Sequence, residues 1–196
     1  MVTQCRETAL VLREAHKLKP VYGYAETACS AGMWLISAAR ERFISATGMG
    51  GSIGVVAKHV EYSAMNEKMG VTETVLRYGD YKQLVNSSEP LTDEAKSGML
   101  SLMAESYRVF AQDVANSLNI TYAQVDLMGQ GREYLGQQAV DVGLFNKVSS
   151  FQETLTMLVT NENIGGSSMK KKDLTYSMAS AFAGQIEAAT ETPDPE

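Results

Sequence analysis

The chain has 196 residues, enough for one domain of ordinary size with a sizeable core, and its 44% hydrophobic and 20% charged residues are normal for a globular protein. A formal net charge of −6 argues against nonspecific nucleic-acid binding, which needs a basic face. Two cysteines (Cys5, Cys29) are too few for a disulfide framework or a structural zinc site, the histidines His16 and His59 have no second metal-type ligand at useful spacing, and no run approaches the ~20 apolar residues of a membrane span.

Ala9, Leu10, Leu12 and Leu18 recur among polar residues between Thr3 and Lys19 and predict an amphipathic helix ended by Pro20. Its Arg, Glu and His residues exclude a signal peptide. Val21–Ala25 reads as a short buried strand and Ser30–Arg42 as a helix with a charged end. Phe43–Ala46 is the next strand, Gly48–Gly54 a glycine-rich loop and Val55–Val60 a further strand. Tyr62–Met69 predicts a short helix, Thr72–Tyr78 a strand and Asp80–Pro90 a loop.

Thr92–Leu118 is the longest helical pattern and opens with the N-terminal signals Thr92, Asp93 and Glu94. Thr121–Met128 (helix), Arg132–Leu135 (strand), Gln137–Val142 (helix), Phe145–Val148 (strand) and Phe151–Val159 (helix) complete an α/β alternation, which implies βαβ units and a mainly parallel sheet. Met65, Met69, Met99 and Met103 fall at helical spacing and read as core rather than as cofactor ligands. From Asn161 the composition turns polar, with Gly, Ser, three consecutive lysines and an acidic, proline-bearing end. Residues 161–196 read as a linker and tail after a domain over 1–160, with Leu174–Ile186 able to form a helix against a partner.

The sharpest local feature is the run Val21 to Trp34, in which a strand leads into Ala28-Cys29-Ser30-Ala31-Gly32 and a helix follows at once. Ser30 has two readings there. Its hydroxyl can cap the helix. It can also act as a nucleophile, with small neighbours admitting a substrate backbone and the helix N-terminus favouring an oxyanion. A nucleophilic serine needs a base, and a lysine kept neutral by burial can supply it.

The segment Lys19 to Ala39 resembles the nucleophile segment of the S49 peptidases (signal peptide peptidase A type). Gly51-Ser52-Ile53-Gly54-Val55 is similar to that family's Gly-Ser-Ile/Leu-Gly-Val segment, and Tyr78-Gly79-Asp80-Tyr81-Lys82 to its Ser-Gly-x-x-Lys segment. Arg132 to Ala139, then Val142-Gly143-Leu144, resembles a later family segment. The four segments stand in the family's order across roughly residues 1–150. Within the family the likeness is strongest to the bacteriophage head-maturation proteases, whose nucleophile motif also reads as Thr27 to Ala31 does.

The resemblance implies a ClpP/crotonase-like α/β fold of repeated βαβ units whose N-terminal units are missing from this chain, including a Gly-Gly turn that supplies one oxyanion donor. Loss of one such donor costs about 10²–10³ in rate. It implies Ser30 as nucleophile, Lys82 as general base with a buried, largely neutral amine, Ser52 as orienter of Lys82, and the Ala31 N–H as oxyanion donor. It implies no cofactor and no metal. Expected substrates are scaffold, portal or capsid proteins in the cytoplasm of an infected bacterium, acted on by a homo-oligomer. A cellular peptidase that degrades signal peptides, and a non-catalytic truncated capsid-assembly protein, are the alternatives. Gly165 to Ser168 before Met169 would suit an internal start for a scaffold segment sharing the C-terminus.

Overall fold

Strand β2 (Glu41–Gly51) is the axis around which the sheet is built, because every other strand pairs with it. The computed structural model describes residues 4–160. β1 (Tyr22–Cys29) runs parallel to β2 along one edge, in register from Tyr22 opposite Glu41 to Cys29 opposite Gly51, with an irregularity between Ala25 and Thr27. On the other edge β4 (Lys147–Val148) pairs parallel with Phe43 and Ile44, and β3 (Glu133–Leu135) pairs antiparallel with Met49 to Gly51. The expected mainly parallel sheet is present, with β3 as its antiparallel member.

β1, helix α2 (Ala31–Ser37) and β2 form one βαβ crossover. α2 lies close on β1: a Cβ on Gly23 would meet the Ile36 side chain at 2.5 Å. The amphipathic first helix is α1 (Cys5–Leu18), with Cys5 and Ala9 buried. Helix α4 (Asp93–Leu118) is capped by the Thr92 hydroxyl, which accepts from Ala95 N–H. Phe110, Ala111, Val114 and Ala115 on its last turns join the core with Met33, Ile44, Ile53, Val125, Leu144 and Phe145. Its first half leaves Leu100 and Leu102 exposed. Helix α5 (Tyr122–Met128) opens on a capping box between Thr121 and Gln124. Helices α3 (Ser63–Lys68), α6 (Gln137–Asp141) and α7 (Phe151–Thr160) complete the described elements.

The described residues divide into two units at the boundary between Phe151 and Gln152. The expectations for 161–196, including the helix at Leu174–Ile186 and the start at Met169, lie outside the described residues. Among those described, no helix is long and apolar enough to cross a membrane.

Several expectations are corrected. The helix predicted to Arg42 stops at Ser37, and Arg42 belongs to β2. Its buried guanidinium donates from Nε to Leu144 O (2.9 Å) and from Nη1 to Ala39 O (3.1 Å), while its backbone N–H donates to Asn146 Oδ1 (2.8 Å). A charge that looked like a solvated helix end thus fastens the start of β2 to the turn before β4. Gly48 to Gly51, within the predicted loop Gly48–Gly54, is strand, because it pairs with β1 on one side and β3 on the other; Gly50 is glycine because Phe145 occupies the space a side chain would need. Val55–Val60 and Thr72–Tyr78 form no strand. Met65 and Met69 are exposed rather than core, while Met99 and Met103 are half-buried along cavity walls.

These contacts predict opposite outcomes for two glycines. In Gly50→Ala the new Cβ would lie 2.3 Å from Phe145 Cε2, so we expect a loss of about 1–3 kcal/mol. Gly98 sits inside α4 with nothing within 4 Å of a Cβ, so Gly98→Ala should gain about 0.5–1 kcal/mol. Urea unfolding monitored by circular dichroism checks both signs.

Candidate active site

β1 delivers Ser30 to the head of α2 in an unusual backbone conformation. Its φ of 52° and ψ of −116° are forbidding for a residue with a Cβ, and its side chain makes no capping hydrogen bond. The backbone holds it there: Ser30 N–H donates to Gly51 O at 2.9 Å, and Trp34 N–H donates to Ser30 O at 3.1 Å. The Ser30 hydroxyl is thus not spent on capping the helix, and its backbone stores strain of about 1–3 kcal/mol. As the first residue of α2, Ala31 has an N–H with no acceptor inside the helix.

Ser52 follows the end of β2 with a φ of 53°, directly after Gly51 at 114°. Its N–H donates to Arg132 O at 2.6 Å and Gly131 N–H donates to Ile53 O at 2.9 Å, which continues the β2–β3 ladder past the end of the strand. Two cavities meet at Ser30. One, of about 470 Å³, is lined by Ser30, Ala31, Trp34, Val55, Val109 and Phe110, among others. The second, of about 710 Å³, is lined by Ser30, Ser52, Met103, Tyr107, Gln130 and Gly131, among others.

Tyr107 Oη donates to Asp126 Oδ1 at 2.8 Å, and Gln130 Nε2 reaches the same oxygen at 2.6 Å. Burial, then the bond to Asp126, pushes the Tyr107 phenol up to about 12, so it remains a donor at any physiological pH.

The structure therefore brings Ser30, Ala31 and Ser52 together. It places Lys82 elsewhere, exposed in a turn closed by Lys82 N–H to Gly79 O at 3.0 Å, and lining neither cavity at Ser30. The buried amine expected for Lys82 is not what this arrangement holds. Among the described residues, no three His, Cys, Asp or Glu side chains gather as a metal site.

The model of Peptidase family S49 matches residues 13–165. The chain belongs to peptidase family S49. It is 30% identical to the capsid assembly protease C of Escherichia phage lambda, over 100% of this chain and 46% of that protein. It is also 30% identical to the head-tail preconnector protein GP5 of Enterobacteria phage P21, over 82% of this chain and 32% of that one. A chloroplastic serine protease SPPA of Arabidopsis thaliana is 26% identical over 74% of this chain and 22% of its own length. The chain spans less than half the length of each of these curated relatives.

Sequence reasoning about this S49 chain missed Trp34, Tyr107 and Phe110 as cavity walls. Trp34 stood in the nucleophile run, but nothing local marks it as a wall. Tyr107 and Phe110 lie more than seventy residues further on and meet Ser30 only through the packing of α4 on α2.

Two predictions follow from the corner itself. A serine serving as N-cap loses a few tenths of a kcal/mol when replaced by glycine. Because Ser30 is instead held at positive φ without capping, Ser30→Gly should raise stability by about 1 kcal/mol in thermal or urea unfolding, the strain relieved exceeding the extra chain entropy of glycine. Next to it, burial and then the Glu133 charge push the Cys29 thiol up. The raised value means less thiolate at neutral pH, so alkylation of Cys29 by iodoacetamide at pH 7.5 should be slower than that of an unhindered free thiol and should climb as pH rises past 9. Mass spectrometry of the labelled peptide reads the rate.

Proposed function

We propose that this chain carries the nucleophile side of a serine endopeptidase that processes scaffold or portal proteins during phage head maturation. The observation that carries the proposal is Ser30, a strained serine with an uncommitted hydroxyl at the junction of two cavities. Family membership supports the reaction class, and likeness to the lambda and P21 proteins supports the phage setting. In this reading the sheet belongs to a ClpP/crotonase-like fold, and the cytoplasm of the infected host is the place of action.

Ser30 Oγ attacks the scissile carbonyl to give an acyl-enzyme, which water then hydrolyses. Lys82 Nζ takes the Ser30 proton and returns it to the leaving amine, Ser52 orients that amine, and the Ala31 N–H receives the oxyanion. Lys82 can act as a base near neutral pH only when shielded from water. The segment that carries it also exposes Leu76, Tyr78 and Tyr81. Apolar surface of that kind marks a contact region. Cover by neighbouring subunits of a homo-oligomer would shield the amine from water in the way a base at neutral pH requires.

Two other readings each have an observation in favour. Likeness to the chloroplastic protease fits a cellular peptidase that degrades signal peptides. The separation of Lys82 from Ser30 fits an assembly protein that keeps the fold without the chemistry. Co-expression of the complete reading frame with its scaffold, compared with Ser30→Ala and Lys82→Ala, tests all of them. We expect processing to fall by about 10⁴-fold or more in each variant. Processing that survives in either variant removes that residue from the mechanism, and a wild type that never cleaves favours the assembly role.

A further inference from the structure

The cavity of about 470 Å³ beside Ser30 has an unusually well-fixed wall. Trp34 is the single tryptophan of the chain, one helical turn after Ser30 in α2. Its indole stacks on Phe110 of α4 with centroids 4.6 Å apart and planes 15° apart. Its Nε1–H donates to Asp113 Oδ2 at 3.2 Å. Arg6 of α1 completes the chain, with Nε 3.0 Å from the same oxygen.

Phe110 and Asp113 are three residues apart on α4, so one helix face supplies both the stacking partner and the acceptor. Stacking alone lets a ring slide in its plane, and the hydrogen bond at its edge removes that freedom. An Asp113 side chain only 10% exposed carries a charge that is costly without partners. Arg6 and Trp34 are those partners, so the carboxylate cannot leave the indole without losing compensation. The rest of the wall is mainly small or apolar, including Ala31, Val55, Val56 and Val109, with Glu105 and Ser106 as its polar members.

We propose that Asp113, held by Arg6, is a positioning residue that fixes Trp34 as the wall of a side-chain pocket beside the nucleophile, and so sets the size of substrate side chain accepted. The pocket takes an apolar side chain, and the immobile indole limits how far a large aromatic one can spread along that wall. The specificity role rests on the peptidase reading above. The anchoring of Trp34 does not, and the test separates them.

With 295 nm excitation, the full chain reports Trp34 alone. Asp113→Ala should shift its emission to the red and raise its quenching by acrylamide, while Asp113→Asn, which keeps an acceptor for the indole, should leave both near wild type. Peptides differing only in Ala, Leu or Phe before the scissile bond read the specificity. Wild type should favour Leu over Phe by about tenfold or more in kcat/KM, and Asp113→Ala should narrow that ratio to about threefold, through KM rather than kcat. Trp34→Phe, which keeps the ring and the stack but loses the N–H, should narrow it likewise and serves if Asp113→Ala fails to fold.

Unchanged quenching in a folded Asp113→Ala protein overturns the anchor. A Leu/Phe ratio that survives in Trp34→Phe, or a loss in Asp113→Ala that falls equally on every peptide through kcat, overturns the specificity role. If wild type hydrolyses none of the peptides, the specificity role falls together with the peptidase reading, and the quenching result still decides the anchor.

Discussion

The site hangs on Gly51. Its carbonyl accepts the Ser30 N–H at 2.9 Å, and the next residue, Ser52, donates its N–H to Arg132 O at 2.6 Å. A Cβ at this position would lie 2.6 Å from Arg132 O, and the backbone sits at φ 114°, so no other residue lets the three chain segments converge. The end of β1, the end of β2 and the start of β3 meet at one peptide unit. Where that unit sits decides where Ser30 and Ser52 point.

Holding this junction costs free energy. Ser30 and Ser52 both occupy positive φ, a placement worth about 1–3 kcal/mol of strain per residue. The surrounding core offsets it. Met33 lies three residues after Ser30 and Ile53 one residue after Ser52, and each is fully buried. The strained positions thus sit beside residues whose burial leaves little freedom to relax. The charged groups in the interior act in the same sense: Arg42 ties β2 to the turn before β4, and Asp113 ties α4 to α1 and α2. Rigidity is concentrated around Ser30, whereas the stretch from Val55 to Leu91 has only α3 as regular structure and exposes much of its apolar surface.

What was legible in the sequence follows the range of the interactions involved. α1 and α4 declare themselves through local signals, an amphipathic repeat and the Thr92 cap, and α5 is legible as a short helix over Thr121–Met128. Val55–Val60 and Thr72–Tyr78 have strand-like composition, but β-structure needs a partner strand and they find none. Gly48–Gly51 has loop-like composition yet forms strand, because it finds partners in β1 and in β3, the latter far along the chain. In the site, ordered motifs marked Ser30 and Ser52, but that Ser30 makes no capping bond and sits at positive φ is visible only in the backbone. The link between Trp34 and Asp113 spans 79 residues and leaves no trace in either local sequence.

The junction at Gly51 also fixes an order of events during synthesis. β1, α2 and β2 are contiguous and can pair as soon as they leave the ribosome, with Ser30 already at its corner. The contact that anchors Ser52 joins it to Arg132, and so closes a loop of 80 residues (132 − 52). Every residue of the exposed stretch and of α4 must therefore be made before the second half of the junction exists. A nascent chain carries Ser30 long before it carries the finished junction and the cavity that Ser52, Gln130 and Gly131 help to line.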